Sequence, residues 1–459
     1  MAATLQEPAV IRQPPARART ISLFTAANIV LSSMVGMGIF TSLGYQVGAL
    51  PSGFVIMTLW FLGGICALCG GLAYAELAAA LPRSGGEYHF LSEIFHPAVG
   101  FMAGWISATV GFAAPIAAAA MTFGEYGHHA QPSISSLALS LAIVWICSAV
   151  HFSGTRRGSA FQNVFTVLKV LTILAFIVAG LFSHEVQPIS FLPAIGDGKL
   201  ICGSAFAVSL VYVMYAYTGW NASTYIVSEI RDPQRNVLRS VLIATLAVVG
   251  LYLGANAIFL HTTPMSDMAQ AAAANKPNVA SLAAAHIFGQ TGGRAMDAFI
   301  CLSLISHISS MIWIGPRVSV AIGEDMPALH VLAKRTRSGI PRVALVVQLL
   351  IVNVIIFTAT FESIVVEMGL VLTLCSFLTV LGVIVLRIRR PNLPRPYKTW
   401  GYPITPIIFL AVSFWMMIHI LRSNPRESLV GLGVALIGLA VYFGFHHTSP
   451  TLSKKSAST

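Results

Sequence analysis

Charge is scarce in this sequence. Only 9% of its 459 residues are Asp, Glu, Lys or Arg, whereas 56% are hydrophobic and the mean hydropathy is +0.79. A soluble domain carries far more charge on its surface, so the composition excludes that class of protein. Apolar runs of roughly 20 residues, the length that spans a bilayer as a helix, recur along the whole chain. The sequence therefore predicts an all-α polytopic membrane protein.

Groups for metal binding or covalent chemistry are scarce too. Cys66 and Cys69 have the spacing of half a zinc site, but no second pair of ligands accompanies them. All six cysteines lie in or beside apolar segments and are interpreted as small buried hydrophobes. No His-x-x-x-His motif, inward carboxylate pair or nucleophile with a neighbouring base occurs. We therefore expect no metal, no cofactor and no intramembrane enzyme.

The apolar runs predict twelve transmembrane helices. Their residue ranges are 22–50, 53–81, 98–126, 135–153, 160–183, 203–228, 238–262, 294–322, 342–360, 364–388, 403–421 and 428–446. They form a single membrane domain at 21–448, between a disordered tail at 1–20 and a C-terminal tail at 449–459. The first tail is not predicted to be a signal peptide, because the apolar run after it is too long and lacks a cleavage signature.

Positive charge is distributed unevenly over the loops. With twelve spans both termini share one side, and 21 of the 27 lysines and arginines fall there, with five on the other side and Lys169 within a span. Loops rich in Lys and Arg stay in the cytoplasm. We therefore expect both termini in the cytoplasm and the protein in the cytoplasmic (inner) cell membrane. The net charge of +11 is then an orientation signal, and no nucleic acid partner is predicted.

The first span contains an unusual pair of glycines. Gly36 and Gly38 lie within Ser33-Met34-Val35-Gly36-Met37-Gly38-Ile39, and each glycine costs a helix roughly 1 kcal/mol relative to alanine. Backbone that leaves a helix at this depth is tolerated only where protein or a wet cavity surrounds it. The pair predicts either an interrupted helix at a binding site or a close helix–helix contact.

The sixth span repeats this feature. Its middle, from Tyr215 through Ala216, Thr218 and Gly219 to Asn221, is polar and rich in small residues. The two interrupted helices lie five spans apart, so the chain divides into two inverted repeats at about 21–183 and 203–388, with two extra helices at 403–446. Paired interruptions of this kind indicate a transporter with its site near the midplane, which favours the binding-site interpretation.

Five short motifs occur in order from the first span to the eleventh. They are Val35-Gly36-Met37-Gly38-Ile39-Phe40, Tyr74-Ala75-Glu76-Leu77 with Pro82-Arg83-Ser84-Gly85-Gly86-Glu87-Tyr88, Ser228-Glu229-Ile230-Arg231-Asp232-Pro233-Gln234-Arg235-Asn236, Gly315-Pro316-Arg317-Val318, and Pro394-Arg395-Pro396-Tyr397-Lys398 with Gly401-Tyr402-Pro403. Together they resemble the signatures of the amino acid–polyamine–organocation (APC) transporters. The resemblance implies the LeuT-type fold, five plus five inverted helices with helices 1 and 6 interrupted. It also implies an amino acid substrate between those two helices.

The backbone at the two interruptions suits such a substrate. Free amides at a half-helix N-terminus attract a carboxylate, and free carbonyls attract an ammonium group. The predicted substrate-binding residues are Ser33, Met34, Val35, Gly36, Met37, Gly38, Ile39, Tyr215, Ala216, Thr218, Gly219 and Asn221. Tyr215 is either an aromatic lid or a packing residue, and Asn221 either reaches the site or ties helix 6 to a neighbour. Met37 and Tyr215 depart from the residues usual in the family, so the substrates of relatives do not transfer directly.

Lys169 lies well inside the fifth predicted span, away from both of its ends. A lysine at the centre of a transmembrane helix costs roughly 2.5–3.5 kcal/mol, which favours a functional role over snorkelling to the interface. In relatives a lysine of this helix replaces the coupling sodium ion. The resemblance therefore implies that Lys169 is a built-in coupling cation that contacts carbonyls near Ser33–Gly36. The sequence leaves open whether it is a permanent charge or a proton carrier. Ser309 and Ser310 are expected to make ordinary helix–helix hydrogen bonds.

The remaining polar residues are interpreted more simply. His307 is expected to be a neutral, hydrogen-bonded core histidine rather than a proton relay. Glu76 and Glu229 are expected in gate or packing salt bridges near Arg83 and Arg231. Glu125, Asp297 and Glu367 are expected on the solvated outer rim. No acidic residue lies deep within the first, third, sixth, eighth or tenth span, which disfavours arginine and polyamines as substrates.

The leading hypothesis is a sodium-independent transporter of neutral L-amino acids that works by alternating access. Proton symport and exchange both remain open. A non-transporting amino acid sensor and a transporter of polyamines or cationic amino acids are the alternatives. The expected partners are the small amino acid substrate and the lipid bilayer.

Overall fold

The chain folds into helices in the computed structural model, which describes residues 19–184, 186–274, 278–336, 339–358, 361–423 and 425–448. The longer elements are α1 (Leu23–Met34), α2 (Gly38–Val47), α3 (Gly53–Ala80), α4 (Glu87–Ile94), α5 (Pro97–Ile106), α6 (Ala113–Ala130), α7 (Ser136–Phe152), α8 (Thr155–Leu181), α9 (Asp197–Ile201), α10 (Ser204–Ala216), α11 (Pro233–Thr262), α12 (Met265–Ala273), α13 (Val279–Asp325), α14 (Arg342–Thr358), α15 (Phe361–Arg389), α16 (Ile404–Ser423) and α17 (Pro425–Thr448). A π-helical turn, Ser107–Phe112, joins α5 to α6, and 3₁₀ segments occupy Ala222–Glu229 and Pro327–Ala333. Most of the two predicted tails lies outside the described residues.

Nine segments of the described residues are long and apolar enough to cross a membrane. They are Leu23–Val47, Gly53–Ala80, Pro97–His128, Thr155–Leu181, Pro233–Thr262, Val279–Asp325, Gly369–Arg389, Ile404–Arg422 and Ser428–Phe445. Three shorter apolar helices, α7, α10 and α14, lie within the fourth, sixth and ninth predicted spans, although α10 covers only the first half of its span. The all-helical, polytopic class is confirmed. The count of twelve and the inverted repeat remain predictions.

Several helices begin where the sequence provides a cap. The hydroxyls of Ser22, Ser52 and Ser135 accept hydrogen bonds from backbone amides in the first turns of α1, α3 and α7. Each cap satisfies an amide that the helix itself cannot pair. These serines therefore fix where the apolar runs become helical.

Helix α1 lies in the middle of the bundle. It packs against α8, α11 and α13, and α2 packs against α10. In the first span and in α13, 78% of the most apolar 18-residue stretch is buried in protein, whereas in α8 only 28% of that stretch is buried. The outer face of α8 is therefore left to lipid, while α1 and α13 form the core around which the rest is arranged.

Element α13 is interrupted at Gly289, whose φ of 74° and ψ of −175° are not helical, so the stretch from Val279 is separate from the long helix that ends at Asp325. That long helix contains the eighth predicted span, 294–322. One detail differs from expectation. Among the cysteines, Cys66, Cys69, Cys147 and Cys375 are buried as expected, but Cys202 is exposed. Cys202 terminates the short helix α9, just before the sixth predicted span begins at 203.

Candidate functional site

The two predicted interruptions are real breaks in helical structure. Helix α1 ends at Met34, Val35 leaves helical geometry at φ −79° and ψ 82°, and α2 begins at Gly38. Helix α10 ends at Ala216, and the chain then turns through Gly219, whose φ is +102°. We call residues 35–37 the first break and residues 217–221 the second break.

The two breaks touch each other at glycines. A Cβ atom on Gly38 would lie 2.8 Å from the Cα atom of Ala216, and one on Gly219 would lie 2.7 Å from the carbonyl oxygen of Ser33. Gly219 also has a positive φ, which residues other than glycine adopt only with strain. Glycine is therefore required at both positions for the breaks to approach this closely.

A tyrosine of α11 ties the broken ends together. The Tyr252 hydroxyl lies 2.8 Å from the carbonyl oxygen of Met34 and 2.9 Å from that of Ala216, donating to both in a bifurcated arrangement. These carbonyls belong to the last turns of α1 and α10, which have lost their intrahelical partners. The sequence analysis missed Tyr252, because a tyrosine in an apolar run resembles a packing residue.

Lys169 donates a hydrogen bond to the first break. Its side chain is fully buried, and Nζ donates to the Val35 carbonyl oxygen at 2.6 Å. Val35 belongs to the stretch that the sequence argument named for this contact. An ammonium group can donate several hydrogen bonds to carbonyl oxygens, which would otherwise coordinate a metal ion. Unlike a metal ion, the Lys169 nitrogen is covalently attached to α8.

Hydroxyls and amides join α1, α8 and α13 beside this lysine. Ser32 Oγ of α1 donates to the carbonyl of Ser306 on α13 at 2.8 Å, and Gln162 Nε2 of α8 donates to the same carbonyl at 3.2 Å. His307 Nδ1 lies 3.1 Å from the carbonyl oxygen of Ser32. The first break is therefore fixed from three helices, which suits a surface that must keep its shape.

The two serines of α13 also make ordinary contacts between helices. Ser309 Oγ lies 2.9 Å from His151 Nε2, and Ser310 accepts from Ser33 Oγ at 3.3 Å. Both hydroxyls are thus used in packing α13 against α7 and α1, as the sequence argument expected.

A cavity of about 110 Å³ opens between the breaks. Ten of the twelve predicted substrate-binding residues line it, namely Ser33, Met34, Gly36, Met37, Gly38, Tyr215, Ala216, Thr218, Gly219 and Asn221. The two others, Val35 and Ile39, are fully buried and do not line it. Val35 instead takes part through its carbonyl oxygen. The cavity adjoins the N-terminus of α2, where no side chain caps the free amides.

The cavity wall also contains a carboxylate that the sequence analysis did not place there. Glu87 begins α4, outside the nine candidate spans, and is 3% exposed. Burial raises the pKa of its carboxyl group to about 7. It was missed because its motif reads as a connection between the second and third spans. The premise that no acid lies near the site is therefore incomplete.

Tyr215 and Asn221 occupy different parts of the wall. Tyr215 is partly buried and lines the cavity, as a lid or a packing residue would. Asn221 lines it too, but its Nδ2 donates to Glu87 Oε1 at 3.3 Å and lies 3.4 Å from the Tyr225 hydroxyl. Asn221 therefore ties the second break to α4.

The expected salt bridges exist, although with other partners. Glu76 pairs with Arg387 at 2.7 Å and Glu229 with Arg317 at 3.0 Å, whereas Arg83 pairs with Asp325 at 2.9 Å. Glu76 and Glu229 are therefore in salt bridges as expected, with arginines that lie far from them in sequence. Each actual pair joins elements far apart in sequence, which adjacency along the chain does not reveal.

The acidic residues expected at the rim differ among themselves. Glu125 is exposed, but Asp297 accepts hydrogen bonds from Asn278 Nδ2 at 3.0 Å and from the Ser281 hydroxyl. Asp297 therefore fixes the start of α13 rather than lying free in solvent. The side chain of Glu367 lies outside the described residues. Within the described part of the chain, no three His, Cys, Asp or Glu side chains are grouped to hold a metal ion.

The whole sequence is similar to known carriers of amino acids. It is 25% identical over 432 residues to the serine/threonine exchanger SteT of Bacillus subtilis, covering 93% of this chain and 96% of that protein. It is 26% identical over 450 residues to the mouse Asc-type amino acid transporter 1, covering 93% of this chain and 81% of that protein. It is 27% identical over 442 residues to the human large neutral amino acids transporter small subunit 2, covering 93% and 80%.

The model of one family spans nearly the whole described domain. The amino acid permease model matches residues 21–443, from the start of α1 into α17. The relatives are transporters and not enzymes, and this chain has the apolar helices of a membrane protein. The chain belongs to the amino acid permease family, within the APC superfamily of amino acid transporters.

Proposed function

We propose that this protein is a sodium-independent secondary transporter of neutral L-amino acids that works by alternating access. The observation that carries the proposal is the contact between the two helix breaks around one cavity. The free amides at the start of α2 suit the substrate carboxylate, and the carbonyls at the end of α10 suit its ammonium group. Family membership supports amino acids as the substrate class.

The size of the cavity favours small and medium side chains. A cavity needs roughly 10–15 Å³ of internal volume to hold one group of the size of a water molecule. A cavity of about 110 Å³ therefore holds about seven to eleven such groups, which matches serine, threonine, alanine or leucine better than tryptophan. The similarity to a carrier named for serine and threonine is consistent with this range.

Lys169 supports independence from sodium. An ammonium group that is bonded to the Val35 carbonyl occupies the position at the first break where a cation is useful. Because this cation is part of the chain, a sodium gradient cannot drive it. We also propose that helices α1 to α15 form the two inverted repeats, with α16 and α17 outside them, and that transport proceeds by rocking of one helix bundle against another.

Uptake by purified protein in liposomes tests the proposal. Labelled serine should accumulate when unlabelled serine or a proton gradient supplies the driving force, and replacing sodium with choline should change the rate less than twofold. A sodium-stimulated rate would contradict the role of Lys169. Binding in detergent without any uptake or counterflow would favour the sensor instead, since a sensor keeps the site but moves nothing.

A thermal-shift screen tests the substrate class. A ligand stabilises the state that binds it, so serine, threonine, alanine and leucine should raise the melting temperature at millimolar concentration. Arginine and putrescine should raise it less. Tightest binding by a cation would overturn the neutral substrate and favour a role for Glu87 as its counter-ion.

Cysteine labelling tests the orientation, which rests on the excess of positive charge in one set of loops. In a background without the exposed Cys202, Ala273→Cys on α12 should react with a membrane-impermeant reagent from outside the cell. Asn392→Cys, exposed between α15 and α16, should react only after permeabilisation. The reverse pattern would show that the termini lie outside.

A further inference from the structure

Three donors converge on one oxygen of Glu87. Its Oε1 accepts from the Tyr74 hydroxyl, from Asn221 Nδ2 at 3.3 Å and from Ser376 Oγ at 3.3 Å. Tyr74 lies on α3, Asn221 in the second break and Ser376 on α15. One carboxyl oxygen therefore joins the second break to two helices that are far from it in sequence.

The other oxygen, Oε2, is free to exchange a proton. None of the three donors forms a hydrogen bond with Oε2. This oxygen is not one of the fully enclosed polar atoms that lack a hydrogen-bond partner, and Glu87 lines the cavity. Because no hydrogen bond of the described residues occupies Oε2, water that enters the cavity can deliver a proton to it or remove one.

No cation neutralises this carboxylate. Among the described residues, no Lys, Arg or His nitrogen forms an ion pair with Glu87, and the nearby Arg83 is already paired with Asp325 and Glu324. The titratable groups that face Glu87 are the hydroxyls of Tyr74 on α3 and Tyr225 in the 3₁₀ segment, and the thiol of Cys375 on α15; all are neutral. The imidazole of His307 on α13 lines the same cavity. A buried carboxylate without a cation is costly, and binding a proton relieves that cost.

We propose that Glu87 binds and releases one proton in each transport cycle, which makes the protein a proton-coupled carrier. The proton passes from water in the cavity to Oε2 and returns to water when the cavity opens to the other side, so no bond other than O–H forms or breaks. This inference rests on the proposed function, since it concerns the same cavity and the same cycle.

Protonation also changes what holds the second break. A charged acceptor forms hydrogen bonds about twice as strong as a neutral one. When Glu87 becomes neutral, its bonds to Asn221 and Ser376 weaken, and the second break is freed from α4 and α15. The proton is thereby linked to the movement of the wall that contacts the substrate.

The pH range follows from the burial of the group. Burial raises the pKa of the Glu87 carboxyl to about 7, so the group gains its proton as the pH falls through 7. Serine uptake should therefore rise as the pH falls from 8 to 6. A carboxyl with an ordinary pKa would remain charged over this whole interval.

The test is the pH profile of serine uptake in liposomes containing wild type or Glu87→Gln. The amide keeps an acceptor oxygen for Tyr74 and Ser376 but cannot titrate. We expect wild-type uptake to rise at least about fivefold from pH 8 to pH 6, and uptake by Glu87→Gln to change less than about twofold. The control variant Glu125→Gln, at an exposed carboxyl of α6, should keep the wild-type profile.

Proton movement is measured in the same vesicles with an internal pH dye. Serine added outside should acidify the interior of wild-type vesicles, and Glu87→Gln should abolish this acidification while serine counterflow continues. If Glu87→Gln does not insert, Glu87→Asp decides, because a shifted pH midpoint supports the proposal and an unchanged one overturns it. Wild-type serine uptake without acidification would overturn proton coupling but leave the proposed function intact. No uptake or counterflow by wild type would overturn the proposed function itself.

Discussion

The two helix breaks are held in different ways. Every residue of the first break is buried, and it is fixed by the Lys169 ammonium, the Tyr252 hydroxyl and the polar contacts around Ser32. In the second break Thr218 is exposed, Gly219 and Asn221 are only partly buried, and a carboxylate takes the place of the lysine as the charged partner. The first break is therefore the fixed wall of the site, and the second is the more exposed wall.

This difference predicts where substitutions have the largest effect. Changes at the fixed wall should abolish or weaken binding, because nothing there can rearrange to accommodate them. Changes on the exposed side of the second break should have little effect on affinity.

The largest effect is expected for Gly38→Leu. Even a Cβ atom at this position would lie 2.8 Å from Ala216, so a leucine would separate the two breaks and fill the cavity. Serine binding, measured by isothermal titration, should weaken by more than about 100-fold. Gly250→Leu is the matched control, since a Cβ on Gly250 meets no atom within 4 Å and this residue is exposed. Near-normal affinity in Gly38→Leu would show that substrate does not bind at the breaks.

Loss of the buried ammonium should have the next largest effect. Lys169→Ala leaves the Val35 carbonyl without its partner, and an unsatisfied buried group costs about 1–3 kcal/mol. We expect serine affinity and uptake to fall by roughly ten- to 100-fold, with Lys199→Ala, an exposed lysine on α9, close to wild type. An unaffected Lys169→Ala would mean that the first break keeps its shape without the cation.

A smaller effect is expected for the hydroxyl that both breaks share. Tyr252→Phe removes the bonds to the Met34 and Ala216 carbonyls while keeping the ring, which should cost about 1 kcal/mol, or roughly fivefold in affinity. Tyr397→Phe is the control, because its hydroxyl accepts from the Trp400 amide, away from both breaks. Equal effects of the two variants would show that the hydroxyl matters only for packing.

The smallest effect is expected at the exposed side of the second break. Thr218→Val removes a hydroxyl that donates only to the Tyr215 carbonyl one turn earlier. Serine affinity should change less than about twofold, as it should for Thr172→Val, which removes a similar local bond on α8. A loss comparable to that of Lys169→Ala would erase the contrast between the breaks.

The sequence predicted the parts of the site that depend on local chemistry. Gly36, Gly38 and Gly219 are conspicuous because glycine is costly inside a spanning helix, and Lys169 because an ammonium is costly in lipid. The helical class followed from apolar run lengths alone. These signals are local, so one sequence is sufficient to recognise them.

The remaining features depend on tertiary contacts that no local pattern encodes. Tyr252 is an ordinary aromatic until α11 packs against both broken ends. Glu87 belongs to a connection, and only the fold turns it toward the cavity. The partner of Glu76 is Arg387, more than 300 positions later, whereas the nearer Arg83 pairs elsewhere.

The most direct test of the account is an electron cryomicroscopy map of the protein with saturating serine. The account predicts the serine carboxylate at the amides of residues 36–38 and its ammonium group at the carbonyls of residues 215–219. Lys169 should lie behind the first break without touching the ligand. Serine bound elsewhere, such as in the second cavity between α10, α15 and α16, would contradict the claim that the two breaks form the binding site.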